Sequence, residues 1–173
     1  MDIMYFNITQ DIPWWDMSEA KLLDQIDKRI LRLIQEDASL SIAEIASNVG
    51  LSQTPCWKRL QKLEANGIIR RRIAVLDPIK LGLGMTVFVS VKVGDHTADS
   101  LQSFADTVTG MHEVMDFYRV AGDVDYILRV VVSDTSAFDD FYKRLITLFP
   151  LKNVSSHFAL ESIKAETAFP ISA

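Results

Sequence analysis

The sequence predicts an α+β protein in two parts, an N-terminal winged helix-turn-helix followed by a C-terminal ferredoxin-like βαββαβ domain. Three observations carry this. Residues 41 to 72, SIAEIASNVGLSQTPCWKRLQKLEANGIIRRR, hold two helix starts, two glycine stops and a run of arginines. Val87, Val89, Val91 and Val93 alternate with Thr86, Phe88, Ser90 and Lys92, the period of a half-buried strand. Between these stretches, at Asp77-Pro78, the periodicity and the charge balance both change. Residues 22–76 carry nine Lys or Arg and six Asp or Glu, whereas residues 77–173 carry eight and thirteen. At 173 residues, 49% hydrophobic and 24% charged, the chain has enough apolar material for two cores.

Taken in order, residues 1–21 stand apart as an N-terminal extension. They contain Pro13, Trp14, Trp15 and four acids against one lysine, without a long period. They read either as a poorly ordered extension or as an arm whose tryptophans pack on a neighbouring subunit. From Leu22 to about Asp37 a helix is expected, with Leu23, Ile26, Ile30, Leu33 and Ile34 on one face. Ser41 and Glu44 have capping-box spacing, and Ile42, Ile45, Ala46 and Val49 fall at i, i+3, i+4, i+7. Gly50 supplies the left-handed conformation that ends that helix. Ser52 is suited to cap the next one, and Pro55 lies in its first turn, where a missing N–H matters little.

On this second helix Cys56, Leu60 and Leu63 share the inward face. Thr54, Lys58, Gln61 and Lys62 point away from it, with Trp57 and Arg59 on the flanks. Gly67 ends the helix, and Ile68 to Val75 reads as a wing strand carrying Arg70, Arg71 and Arg72. Amide and hydroxyl groups near a helix N-terminus suit base edges, and cations suit phosphates. The DNA-contact candidates are therefore Ser41, Ser52, Gln53, Thr54, Trp57, Lys58, Arg59, Lys62, Arg70, Arg71 and Arg72. The plain alternative is a solvated helix face followed by a basic turn. The local balance argues against it. Residues 53–72 hold six basic side chains against Glu64, a net of +5 in a chain whose net charge is −5.

Residues 77–84 form a connector with two glycines, and residues 22–76 and 85–171 are the two domains on either side. In the second domain the valine strand comes first. A helix through Leu101, Phe104, Ala105 and Val108 follows, then a strand over Val114–Val120, the turn Gly122-Asp123-Val124-Asp125 and a strand over Tyr126–Val132. A helix marked by Phe138, Phe141, Tyr142, Leu145 and Leu148 is stopped by Pro150, and Val154–Ile163 reads as the last strand. The sheet face away from the helices is expected to be rich in apolar and aromatic groups and to be covered by a second copy.

The two halves in this order resemble the Lrp/AsnC (leucine-responsive/asparagine-type) transcription regulators. LDQIDKRILRLIQEDASLSIAEIASNVGLS, the connector LDPIKLGLG and the turn GDVDY carry the resemblance, from about Leu22 to Ile171. It implies a RAM/ACT-like second domain, a homodimer assembling further into an octamer, double-stranded DNA as partner and a small amino acid as effector. TPCWKRLQKLEANGI is in addition similar to a subgroup controlling cysteine breakdown and detoxification, which makes cysteine the effector it suggests.

The effector is expected at Gly122, Asp123, Val124, Asp125 and Tyr126. Gly122 lets backbone approach a carboxylate, and Asp123 or Asp125 faces its ammonium group. Ser155 and Ser156 on the last strand complete the wall, as the resemblance implies a neighbouring subunit does. A tight turn with two solvated aspartates is the alternative.

Other classes fit less well. Cys56 is the only cysteine, excluding an intrachain disulfide, and its spacing buries it, with thiol sensing as the lesser alternative. His96, His112 and His157 stand apart without metal-ligand spacing. No cofactor is expected. No nucleophile and base, paired carboxylates or phosphate-cradling loop marks an enzyme. No apolar run nears the ~20 residues of a membrane helix and no signal-peptide pattern is seen, so a cytoplasmic protein is expected. An architectural DNA-binding protein without effector is the main rival, and an enzyme with an amino-acid-sensing domain a more distant one.

Overall fold

The computed structural model describes residues 23–172. The tryptophan-bearing extension 1–21 lies outside the described residues. Three helices come first: α1 (Gln25–Glu36), α2 (Ile42–Val49) and α3 (Gln53–Ala65). Asp24 caps α1 by accepting from Asp27 N at 2.8 Å. Ser41 and Glu44 close a reciprocal capping box at the start of α2, and Gly50 ends that helix at φ +74°. A side chain at that φ would crowd its own backbone, which is why glycine stands there. Ile30, Leu31, Ile45, Ala46, Val49, Cys56, Leu60 and Leu63 form one buried core. Leu31 joins it, although the helical period did not single it out.

The wing strand is not formed. Residues 70–77 carry no strand pairing, and Ile73, Val75 and Leu76 are left exposed. A strand exists only through a ladder partner, and no described segment of the chain supplies one here. At the connector, Asp77 Oδ1 accepts from Ile79 N at 3.0 Å, turning the chain at Pro78.

The second part contains β1 (Met85–Val93), α4 (Ala98–Thr109), β2 (Val114–Arg119), β3 (Tyr126–Val132), α5 (Thr135–Leu148) and β4 (Leu151–Phe158). The four strands form an antiparallel sheet in the order β2-β3-β1-β4, the split βαβ arrangement. Val87, Val89, Val91 and Val93 of β1 and Tyr126, Leu128, Val130 and Val132 of β3 point to one face, where Phe104, Val108, Phe138, Phe141 and Leu145 cover them. The last strand runs over Leu151–Phe158 and not Val154–Ile163. Its length is set by β1, whose Val87 pairs with Phe158, and Ile163 beyond it is 90% exposed.

The opposite sheet face is mixed, not predominantly apolar. Phe88 and Tyr118 are exposed there beside Ile127 and Val131. They share it with Lys92, Ser155 and His157 and with an ion pair between Arg129 and Asp116.

By packing, the described residues divide into 23–74 with 166–172, and 75–165. Residues 166–171, which the sequence places in the second domain, pack with the first.

Candidate nucleic-acid interface and ligand turn

The outward edge of α3 is built by helical spacing. Cys56, Leu60 and Leu63 bury one side, so Gln53, Thr54, Trp57, Lys58, Gln61 and Lys62 are exposed on the other. Ser52 stands at the N-cap, yet its side chain makes no capping hydrogen bond. The expected cap is absent, so the hydroxyl is directed to no helix N–H. Lys58 and Lys62 form no ion pair with any described residue. Amide, hydroxyl and two uncompensated ammonium groups thus lie along the first three turns of one helix. That set can hydrogen-bond base edges and neutralise phosphates.

Three other candidates have different surroundings. The Ser41 hydroxyl is engaged in the capping box, donating to Glu44 Oε2 at 2.7 Å and accepting from Glu44 N at 3.3 Å. The hydroxyl's donation, and then that of Ser41 N–H at 2.8 Å, hold the Glu44 carboxyl below its ordinary value. Arg59 does not reach outward. Its Nη1 lies 2.7 Å from Asp27 Oδ1 and 2.5 Å from Asp24 Oδ2, and these bonds, Asp27 first, raise its already high pKa. Asp24 is held below its ordinary value by Asp27 N–H and then by Arg59. Arg72 Nη2 meets Glu64 Oε1 at 3.1 Å, the carboxylate that also accepts from Gln61. Arg70 and Arg71 remain exposed on the irregular segment, and Trp57, 53% exposed, walls a cleft of about 480 Å³ with Leu40, Ile42, Ile45 and Ile69. Cys56 is 0% exposed, and burial pushes its thiol pKa up, so the folded state holds it as an unreactive thiol.

In the second unit the Gly122–Tyr126 stretch connects β2 to β3. Val120 N donates to Asp125 O and Asp125 N to Val91 O, both at 2.9 Å, which closes the turn on the end of β1. The N–H groups of Gly122, Asp123 and Val124 make no hydrogen bond with the described residues. Gly122 has φ +140° and open space where a Cβ would stand. The Asp123 side chain is exposed.

The Asp125 carboxylate is already occupied: Oδ2 accepts from Val93 N at 2.8 Å and Oδ1 faces His96 Nε2 at 3.1 Å. The Val93 bond chiefly, then His96, holds its pKa below the ordinary value. Tyr126 is 4% exposed among Phe104 and Phe117, so its ring belongs to the core. Ser155 and Ser156 cannot form one wall. Ser155 pairs with Ser90 on the mixed face and Ser156 with Val89 on the helix face, because successive strand residues alternate. His96, missed by the sequence reading, is 29 residues from Asp125 and has no local signal.

Residues 23–70 match a winged helix-turn-helix DNA-binding domain and residues 86–169 the Lrp/AsnC ligand binding domain. The chain is 47% identical over 151 residues to the DNA-binding transcriptional activator DecR of Escherichia coli (strain K12), covering 87% of this chain and 99% of that protein. It is 43% identical to the glutamate uptake regulatory protein of Zymomonas mobilis, over 86% of this chain and 91% of that one. Among solved structures it is similar to an AsnC family transcriptional regulator from Agrobacterium tumefaciens, with a TM-score of 0.83 and 51% identity over 85% of this chain and 96% of that one. It is also similar to a Neisseria meningitidis transcriptional regulator solved with L-Met, with a TM-score of 0.82 and 33% identity over 86% and 97% of the two chains. An α3 edge of polar and cationic side chains, a βαββαβ unit and both domain matches in register place the chain in the Lrp/AsnC family, as a DNA-binding transcriptional regulator with that family's ligand-binding domain.

Proposed function

We propose that this regulator senses a small amino acid at the Gly122–Val124 turn and passes its occupancy to DNA through a homo-oligomer. The observation that carries the reading is the set of three adjacent N–H groups at Gly122, Asp123 and Val124 without partners among the described residues, next to the exposed Asp123 carboxylate. Successive N–H groups in a turn suit a carboxylate, and a nearby acid suits an ammonium group. Asp123 is the candidate for that second role, since the Asp125 carboxylate is held by Val93 and His96. Cysteine and methionine are the first ligands to try, the former from the likeness of TPCWKRLQKLEANGI and the latter from the L-Met in a solved relative.

On this reading α3 enters the major groove with Ser52, Gln53 and Thr54 at base edges or phosphates and Lys58 and Lys62 at phosphates. Arg70 and Arg71 follow on the flank. The regulator acts in the cytoplasm, is not an enzyme and works as a dimer that assembles into an octamer. The exposed Ile73, Val75 and Leu76, with Phe88 and Tyr118, are apolar groups that assembly would cover. Effector binding shifts DNA affinity through differential binding to two assembly states.

A melting-temperature screen of the full chain with the twenty amino acids tests this. A ligand at 100 times its dissociation constant should add about 2.7 kcal/mol of stability. No shift with any of them would favour an architectural DNA protein, which light scattering and a salt series on scrambled DNA would then characterise.

A further inference from the structure

The chain passes between its two units twice, leaving the first after Ala74 and returning to it at Glu166. The return is specific. Ile171 packs against the core that contains Ile30, Ile45, Cys56 and Leu60. Arg32 Nε donates to Ile171 O at 3.1 Å. Gln35 brackets Phe169, with Nε2 donating to Phe169 O at 2.9 Å and Oε1 accepting from Phe169 N at 3.0 Å. One amide that meets both backbone groups of a single residue fixes its orientation as well as its position. Arg32 and Gln35 stand on the second half of α1. The start of α1, at Asp24 and Asp27, is joined by Arg59 to α3. The same helix therefore holds the returning tail at one end and the DNA-facing helix at the other.

We infer that residues 166–171 are a strap that keeps the DNA-reading head closed through α1, so that releasing it loosens α3 from a side that does not face DNA. α1 buries only Ile30 and Leu31 fully, while Leu23, Ile26, Leu33 and Ile34 stay partly covered. A head of about fifty residues has little surplus burial, so one further apolar anchor and three hydrogen bonds weigh heavily in its opening equilibrium. The strap continues the unit that matches the ligand-binding domain, so a change there that draws on the tail acts on α1 directly. This rests on the head reading DNA and does not depend on which effector binds.

Cys56 makes the inference testable. It is the only cysteine in the chain and is 0% exposed in the core that Ile171 completes, so its thiol reports opening of the head. In the full-length protein, the rate of Cys56 reaction with a chromogenic disulfide is measured for the parent, Ile171→Asp, Ile171→Val and Gln35→Ala. Affinity for a mixed-sequence DNA duplex at low salt is measured alongside. Ile171→Asp should speed the thiol reaction at least about tenfold and weaken DNA binding several-fold, because exchange-type access follows the open population. Ile171→Val should behave as the parent, and Gln35→Ala should fall between. The melting transition of the βαββαβ unit should not move in any of them. A Cys56 rate within about twofold of the parent in Ile171→Asp overturns the strap. A faster thiol with unchanged DNA affinity overturns the link to α3. Should Ile171→Asp not fold, Gln35→Ala decides, and a parental rate there overturns the inference as well.

Discussion

Arg59 Nη1 donates to Asp27 Oδ1 at 2.7 Å, joining α3 to α1. The helical wheel puts Arg59 next to Lys58, and only the acids 32 and 35 residues upstream separate their roles. Arg59→Ala should therefore lower the melting temperature of the head. With Arg59 32% and Asp27 16% exposed, the loss should be about 1 kcal/mol after allowance for solvent screening. The slope of log affinity against log salt should stay at its parental value. Lys58→Ala should do the reverse, keeping stability and reducing that slope by about 0.9. A reduced slope in the Arg59 variant would return that residue to the phosphate contacts.

On the proposed reading Gln53 and Thr54, both exposed in the first turn of α3, read the bases. Replacing either by alanine should relax preference for an operator over scrambled DNA by about 1–3 kcal/mol per lost base contact. Lys62→Ala should weaken both duplexes alike. Binding isotherms on the two duplexes at fixed salt check this, and an unchanged preference in both alanine variants would assign base readout elsewhere.

The contrast among these residues shows what the sequence could convey. Caps and stops such as Ser41–Glu44 and Gly50 are local, involving neighbours three or four residues apart, and they were legible. So was β1, because four valines two apart define a face whatever lies beyond it. The wing was not, since its strand needs a partner that local pattern does not guarantee. The end of β4 at Phe158 is likewise dictated by where β1 begins. Arg59 read as a DNA contact and Asp125 as a partner for an ammonium group because the groups that hold them are distant in sequence. Ser155 and Ser156 are different, for the period-2 rule alone already sets adjacent strand residues on opposite faces.

Acid should act on the second unit through Asp125. Its carboxyl is held below the ordinary 3.8, chiefly by Val93 N–H and then by His96. In the unfolded chain it returns to that ordinary value. The contact thus contributes its full stability above about pH 4–5, and the contribution is lost as pH falls towards the lower native value. Asp125→Asn keeps an oxygen to accept from Val93 N but cannot titrate. Between about pH 5 and pH 3 the parent should lose more stability than this variant, the other carboxylates cancelling in the comparison. Denaturant titrations across that range give the two curves, and parallel curves would show that Asp125 takes no part in acid sensitivity.

Gly122 separates turn geometry from ligand binding less directly than its position suggests. At φ +140° it occupies backbone space that L residues rarely adopt, and a Cβ there would meet nothing within 4 Å. The cost of a side chain is therefore conformational, not a clash. Gly122→Ala should destabilise the unit by about 1–3 kcal/mol whether or not a ligand binds. Gly84→Ala is the control, as Gly84 also has open space but no positive φ, and it should leave stability nearly unchanged. Loss of an effector response in Gly122→Ala would thus be ambiguous by itself. Asp123→Ala resolves it: the side chain is exposed and makes no hydrogen bond with the described residues, so its removal should leave the melting curve in place. If Asp123 holds the ammonium group, calorimetric titration with an amino acid that stabilises the parent should show at least about a tenfold weaker affinity, the scale of one lost charge-assisted hydrogen bond. Parental affinity in Asp123→Ala, with parental stability, would move the effector away from this turn.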